Sequence, residues 1–386
     1  ATQSRYAFLG TKAPVQSWVI PFCLGSGETK KCMLLDKAET AFSAPESGPL
    51  VPNVGGTGYY RFDMPSADWK ALIADSANLA PGEAIATTDS LWASFRAGRA
   101  PASLLVDEAK AMAANPSSTA SVDGGQRLAG LNARGIVPAA AIPAYRKLID
   151  SIYGPRLEAI GFDPSFGAHQ ADSPEQQQLR QQLVGLVAGE AKDASVRSRL
   201  KAAANRYIAG DTKALDPSYL GAALSIAAKD GGLPVARKLV EMGLSSEDPS
   251  VRQAALGAAS RTGSIATATY LLNLKDKRLR SFDKLGLVGG LAGTDGTSAY
   301  TASWILTNYD MLASGNGIFF GSRLPGMLGG QCSAAGADRI EKTLGPKVAK
   351  VNVGMLEFQR TIERIRNCGI LKSAKMAEVG RAIRGK

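Results

Sequence analysis

Residues Val51–Met64 read VPNVGGTGYYRFDM and run directly into Pro65-Ser66-Ala67-Asp68-Trp69. The alternation through Tyr59–Phe62 predicts a last strand. Pro65 and Ser66 then mark a helix start, because the first helical turn has no N–H partner for a proline to lose. Upstream, Ser4–Leu9, Ser17–Leu24, Lys31–Leu35 and Thr40–Phe42 are short β-type runs, punctuated by Gly25-Ser26-Gly27 and by Pro45 and Pro49. They predict a small β-sandwich domain over residues 1–64, too small for an independent core and therefore leaning on a neighbour.

Downstream the period is helical. Trp69, Leu72 and Ile73 share one face, and Leu91, Trp92 and Phe95 another. A break is expected at Arg96–Pro101, a loop at Val122–Gly125, a helix over Ala139–Ile160 broken near Gly154-Pro155, and a loop over Gly161–Ser173. Asp172-Ser173-Pro174, Asp216-Pro217 and Asp248-Pro249 each place a capping side chain before a first-turn proline. These starts lie about 44 and 32 residues apart, close to the period of helix-hairpin repeats. Gly210-Asp211, Gly231-Gly232 and Gly243 supply breaks, and Gly315–Pro325 reads as a further loop. The expected fold is mainly α: a small N-terminal β-sandwich followed by a curved α-solenoid domain of HEAT-like antiparallel helix pairs over residues 65–386.

The 386 residues carry a net charge of +11 and a single histidine, His169. The charge invites a nucleic-acid reading. However, the basic residues are spread out, and no aromatic-plus-basic surface pattern of a single-strand binder is present. The one dense basic stretch, Lys372–Lys386, reads as a solvated terminal helix. No apolar run approaches the roughly 20 residues a membrane helix needs. Four cysteines fall into two neighbourhoods, Cys23 with Cys32 and Cys332 with Cys368. That placement is compatible with two disulfides and an oxidising compartment, and equally with four thiols in a cytosolic core.

One histidine excludes an H-E-x-x-H site, and the cysteines lack close metal-ligand spacing, so no metal is expected in this chain. No G-x-S-x-G elbow occurs. Gly25–Lys30 lacks the closing residues of a phosphate loop and reads as a hairpin turn. No carboxylate pair stands out; Asp107 and Glu108 fall in a helix with ordinary charge patterning. No catalytic residue is assigned.

The Gly58–Met64 run followed by a Trp-containing helix resembles the GYYRVNY-type junction of the gluzincin zinc aminopeptidases, the alanyl, puromycin-sensitive and endoplasmic-reticulum aminopeptidases. Further features follow in the same order. Gln3–Tyr6 looks like the Q-x-R-F start of their β-sandwich, and Trp18–Pro21 like its W-x-x-P strand. Asp89, Phe95 and Gly98 resemble a D-x-F-x-x-x-x-x-G helix pair. Leu279–Asp283 through Trp304–Tyr309 is similar to the late helices, and Glu363–Asn367 to the closing E-x-I-x-x-N.

The resemblance implies the C-terminal portion of a zinc-dependent aminopeptidase, β-sandwich plus helical lid. Zinc and the catalytic residues would then belong to an N-terminal catalytic domain absent from this sequence. By that analogy the chain gates the active-site cleft, helps bind peptide substrates and is inert alone. Arg280 and Arg323 become the candidate substrate-binding residues, since arginine suits a peptide carboxylate. The implied partners are the catalytic domain and peptides, with no nucleic acid and no membrane span. The alternative is a stand-alone α-solenoid scaffold for protein interactions. Disulfides Cys23–Cys32 and Cys332–Cys368 are expected from the two-cluster placement, which favours a periplasmic or secreted location over a cytoplasmic one.

Overall fold

The computed structural model describes residues 1–26, 29–43, 48–315, 318–351 and 354–385, without the side chains of 314–315 and 318–320. The chain is mainly helical behind a small N-terminal sheet. It forms two compact units: residues 1–159 with 173–186 and 370–386, and residues 160–172 with 187–369.

The first unit opens on β1 (Ile20–Ser26) and β2 (Thr29–Leu35), an antiparallel pair in which Cys23 stands opposite Cys32. A disulfide joins these two residues, whose Cα atoms are 4.1 Å apart. The other extended runs add single bridges, Thr2 to Glu39 and Gly25 to Val51, so among the described residues the sheet has two strands. The Gln3 side chain ties the N-terminal segment to this hairpin: its amide donates to the Trp18 and Lys37 carbonyls and accepts from the Trp18 N–H.

Tyr59–Phe62 is not a strand. Burial does alternate along it, with Tyr59 and Arg61 exposed and Phe62 buried, but its backbone finds side chains rather than a neighbouring strand. The Phe62 N–H, for instance, donates to Ser90 Oγ at 3.3 Å. Tyr59 and Tyr60 lie in a bend, so the alternation comes from how single side chains pack and not from a strand.

The helices of this unit are α1 (Ser66–Ala74), α2 (Pro81–Arg96), α3 (Ala102–Met112), α4 (Ala120–Ala133), α5 (Ile142–Ile160, all but its last residue here) and α6 (Pro174–Val184). α1 and α2 pack on α3, and α4 on both α2 and α3. Trp69, Leu72, Leu91, Phe95, Leu104 and Leu128 are sealed in the core. The Val122–Gly125 stretch, expected as a loop, lies inside α4. Gly124 and Gly125 are there because a Cβ at either would meet Glu108 and Ala109, or the Tyr153 ring, at under 3 Å. Close packing, not chain reversal, selects these glycines. α5 runs unbroken through Pro155.

The second unit contains α7 (Ala194–Ile208), α8 (Leu220–Ser245), α9 (Pro249–Ala259), α10 (Ile265–Leu272), α11 (Ser281–Ala292), α12 (Ser298–Gly315), α13 (Ile318–Met327) and α14 (Ala334–Val351). α15 (Met355–Ile383) begins here and ends in the first unit. Successive helices pack on their neighbours: α8 on α7 and α9, α11 on α9 and α12, α12 on α13 and α14. This sequential stacking is the solenoid-like arrangement. The proline-marked starts act as helix caps, with Ser173, Asp216 and Asp248 each accepting an N–H two or three residues on. Gly232, at φ +57, kinks α8. Gly243 does not break the helix; it is buried where Leu256 of α9 approaches. Ile305, Tyr309, Leu324, Ile340, Leu344 and Ile365 anchor a continuous core through α12–α15. Cys332, before α14, is disulfide-bonded to Cys368 of α15.

Candidate functional site

The junction that begins at Asn53 is built as a clasp. The Asn53 amide donates to the Gly58 carbonyl and accepts from the Gly58 N–H, closing the loop on itself. Tyr60 donates its hydroxyl to the Pro52 carbonyl at 2.7 Å. Gly55 and Gly56 take positive φ, and a Cβ on Gly56 would strike the Gly82 carbonyl carbon and oxygen at 2.2 Å. The Glu83 carboxylate accepts from the N–H groups of Gly55 and Ala80, joining this loop to the start of α2.

Beyond the loop, Arg61 pairs with Asp89 at 2.6 Å. Phe62 stacks on Trp69, ring centroids 5.3 Å apart. Asp63 accepts from Trp69 Nε1 and Ser94 Oγ while pairing with Arg99. Each of these side chains is engaged within the unit, which makes the Gly58–Trp69 run an anchor for α1 and α2 rather than a reaction centre.

Arg280 immediately precedes α11. Its N–H donates to Asp283 Oδ2 at 2.9 Å, while its side chain is exposed. Asp283 in turn pairs with the buried Arg252 of α9. Beside them Arg278 bridges Glu241 and Asp276. Those hydrogen bonds hold Glu241 down at about 2, and Asp276 also below its ordinary value. Arg323 lies within α13, not in the loop expected over Gly315–Pro325 (of which 316–317 fall outside the described residues), and it too is exposed. The helix runs through this stretch because Gly321 is buried against Ala313 and accepts the Tyr309 hydroxyl on its carbonyl. Among the described residues no hydrogen bond or ion pair holds either guanidinium, and none joins the two.

His169 sits in the loop before α6. Its Nε2 accepts the Asp163 N–H at 2.9 Å, and Nδ1 is 3.6 Å from Asp172. Both ring nitrogens are thus turned to the loop itself. Among the described residues no group of three or more His, Cys, Asp or Glu is placed to hold a metal, so these residues do not fit a zinc ion.

Glu108 is the titratable group whose setting its charge pattern hid. It is wholly buried on α3 with Oε1 unbonded, and desolvation, reinforced by Asp123 and opposed by Arg127, raises its carboxyl to about 8. Tyr153 of α5, also buried, is pushed up by desolvation and by Glu108. The sequence signal was the adjacent Gly124-Gly125 pair, which makes room for both groups. The basic C-terminal stretch is helical and docked by one face, with Arg381 and Arg384 exposed on the other. Glu378 accepts the Ala102 N–H, and Lys375 reaches the Ala100 carbonyl.

A family model described as ERAP1-like C-terminal domain matches residues 50–367. The chain belongs to the ERAP1-like C-terminal domain family. The match spans the clasp, both stacked helical regions and the Arg280 neighbourhood. An ERAP1-like C-terminal domain is the C-terminal part of an aminopeptidase, which implies a catalytic domain as partner. No curated protein matches the chain. No helix among the described residues is long and apolar enough to cross a membrane.

Proposed function

We propose that this chain is the lid portion of a zinc-dependent aminopeptidase, gating the cleft of a catalytic domain and helping to hold the peptide. The observation that carries the reading is the family match over residues 50–367. In this reading zinc resides in the catalytic domain, and this chain supplies selectivity. Arg280 and Arg323 are the residues proposed to meet a peptide carboxylate, since both guanidinium groups are exposed and unengaged. Arg280 is the better placed. Asp283 fixes its backbone N–H, so its position is set while its fork stays open. The two disulfides support a periplasmic or secreted location.

The test has two arms. The chain alone should show no chelator-sensitive hydrolysis of aminoacyl arylamides; robust activity would overturn the lid reading. In an enzyme that includes the catalytic domain, Arg280→Ala should raise KM for peptides with a free C-terminal carboxylate and spare their amides. An equal effect on both removes Arg280 from the site.

A further inference from the structure

Arg96, the last residue of α2, differs from the arginines around it. Arg61 pairs with Asp89, Arg99 with Asp63, and Arg127 with Asp123. Among the described residues no carboxylate pairs with Arg96. Its guanidinium carbon instead lies 4.3 Å from the centre of the Phe8 ring and 5.9 Å from that of Trp92. Tyr6 packs edge-on against Phe8, at 5.2 Å between centroids, and its hydroxyl is buried without a hydrogen-bond partner. Arg61 stands over the Tyr6 ring at 5.5 Å.

This is a costly place to keep a charge. Burial pushes Arg96 below its ordinary value, and the like charges of Arg134, Arg61 and Arg127 add to the effect, opposed by Tyr6. Tyr6 itself is raised by burial and, to a smaller degree, by the Asp89 carboxylate, with Arg96, Arg61 and Arg99 all close enough to pull the other way. If the only task were to hold the N-terminal segment on α2, an apolar side chain would fill the space beside Phe8 and Trp92 without the electrostatic cost. The segment is already fixed by its backbone, since the Leu9 N–H donates to the Arg96 carbonyl at 3.0 Å. A bound anion would offset the charge that no carboxylate pairs, and a shift of the Tyr6 ring, whose hydroxyl is closed to solvent, would let the anion accept from that idle donor.

We propose that Arg96 and Tyr6 form a binding site for a carboxylate ligand. One uncompensated guanidinium matches one negative charge, and its planar fork matches two coplanar oxygens. Phosphate, which carries between one and two charges at neutral pH, fits this balance less well. The inference does not depend on the lid reading, because its test measures binding by the full chain and not hydrolysis.

The probes are sodium acetate and its neutral isostere acetamide, at constant ionic strength, with inorganic phosphate as a third. The readouts are the Arg96 Nε–Hε resonance and Trp92 fluorescence. Acetate should shift both saturably, acetamide neither, and phosphate should bind more weakly than acetate. Arg96→Lys, which keeps the charge and loses the fork, should weaken acetate binding by about tenfold or more. Tyr6→Phe leaves the ring stack intact, should weaken binding severalfold, and decides the matter if the lysine variant does not fold. A linear response shared by acetate and chloride, an equal response to acetamide, tighter binding of phosphate, or unchanged affinity in Tyr6→Phe would each overturn the proposal.

Discussion

Arg252 and Asp283 form an ion pair almost out of water: Nη2 lies 2.6 Å from Oδ2, and the side chains are 8% and 13% exposed. Arg252 directs further N–H groups to the carbonyls of Gly243, Leu244 and Arg278. The pair thus ties α8, α9 and the segment before α11 together, and Asp283 also fixes the Arg280 N–H. Removing one partner would leave a buried charge uncompensated, a loss of about 3–5 kcal/mol. Asp283→Ala should therefore lower unfolding stability in urea at pH 7 by that order. A change below about 1 kcal/mol would show that water replaces the carboxylate.

The same pair sets an acid limb. Burial alone would raise Asp283, but hydrogen bonds from Arg252 and the Arg280 N–H, with the attraction of both arginines, hold it below its ordinary value. A depressed folded value means the stabilisation is fully present above the unfolded value near 4 and is lost as pH falls through the folded one. Asp283→Asn should flatten that part of the stability profile in acid and leave the region above pH 5 parallel to wild type.

Glu108 carries the opposite sign. Desolvation raises its carboxyl to about 8, so the folded chain retains a proton that the unfolded chain gives up near its ordinary value of 4.5. Stability should then fall as pH rises from about 5 to 8, by at most about 1.4 kcal/mol per pH unit for one proton. Glu108→Gln removes this titration. Its stability relative to wild type should rise across that interval and be constant below pH 4, measured as paired urea curves. A pH-independent difference would place an ionised carboxylate in the core.

The contrast between these two acids shows what a sequence carries. The helical period after Ser66, the proline-marked caps and the helix start after Pro65 are local signals, and the fold reproduces them. The join of the clasp to α2 and the burial of Glu108 are set by residues far away in sequence. Tyr59–Phe62 alternates in burial like a strand because Ser90 and Trp69 serve it from α2 and α1. Gly124 and Gly125 read as loop residues because their helical reason, close approach of α3 and Tyr153, is a tertiary fact. Arg280 is visible in sequence only as an arginine; that Asp283 fixes its backbone and Arg252 fixes Asp283 is not.

Glycine substitutions separate these two kinds of requirement. Gly56→Ala would place a methyl 2.2 Å from the Gly82 carbonyl at a residue with φ +67, so the backbone must shift and the new residue is strained as well. A loss of at least about 2 kcal/mol is expected. Gly130 lies in α4, and a methyl added there would meet nothing within 4 Å, so Gly130→Ala should stabilise by about 0.5–1 kcal/mol through helix propensity alone. Thermal unfolding of the two variants checks both signs; a neutral Gly56→Ala would show that the clasp is not rigid.

The Cys332–Cys368 bridge closes a loop of 36 residues around α14 and the start of α15. Restricting a loop of that length in the unfolded chain is worth about 3–4 kcal/mol, against about 2–3 for the shorter Cys23–Cys32 hairpin loop. Cys332→Ser with Cys368→Ser should therefore destabilise more than Cys23→Ser with Cys32→Ser, and reductant should abolish the difference between wild type and each pair. Thiol counting on the denatured, unreduced protein comes first. No free thiols is the expected result, and four would mean that neither bridge forms in the isolated chain.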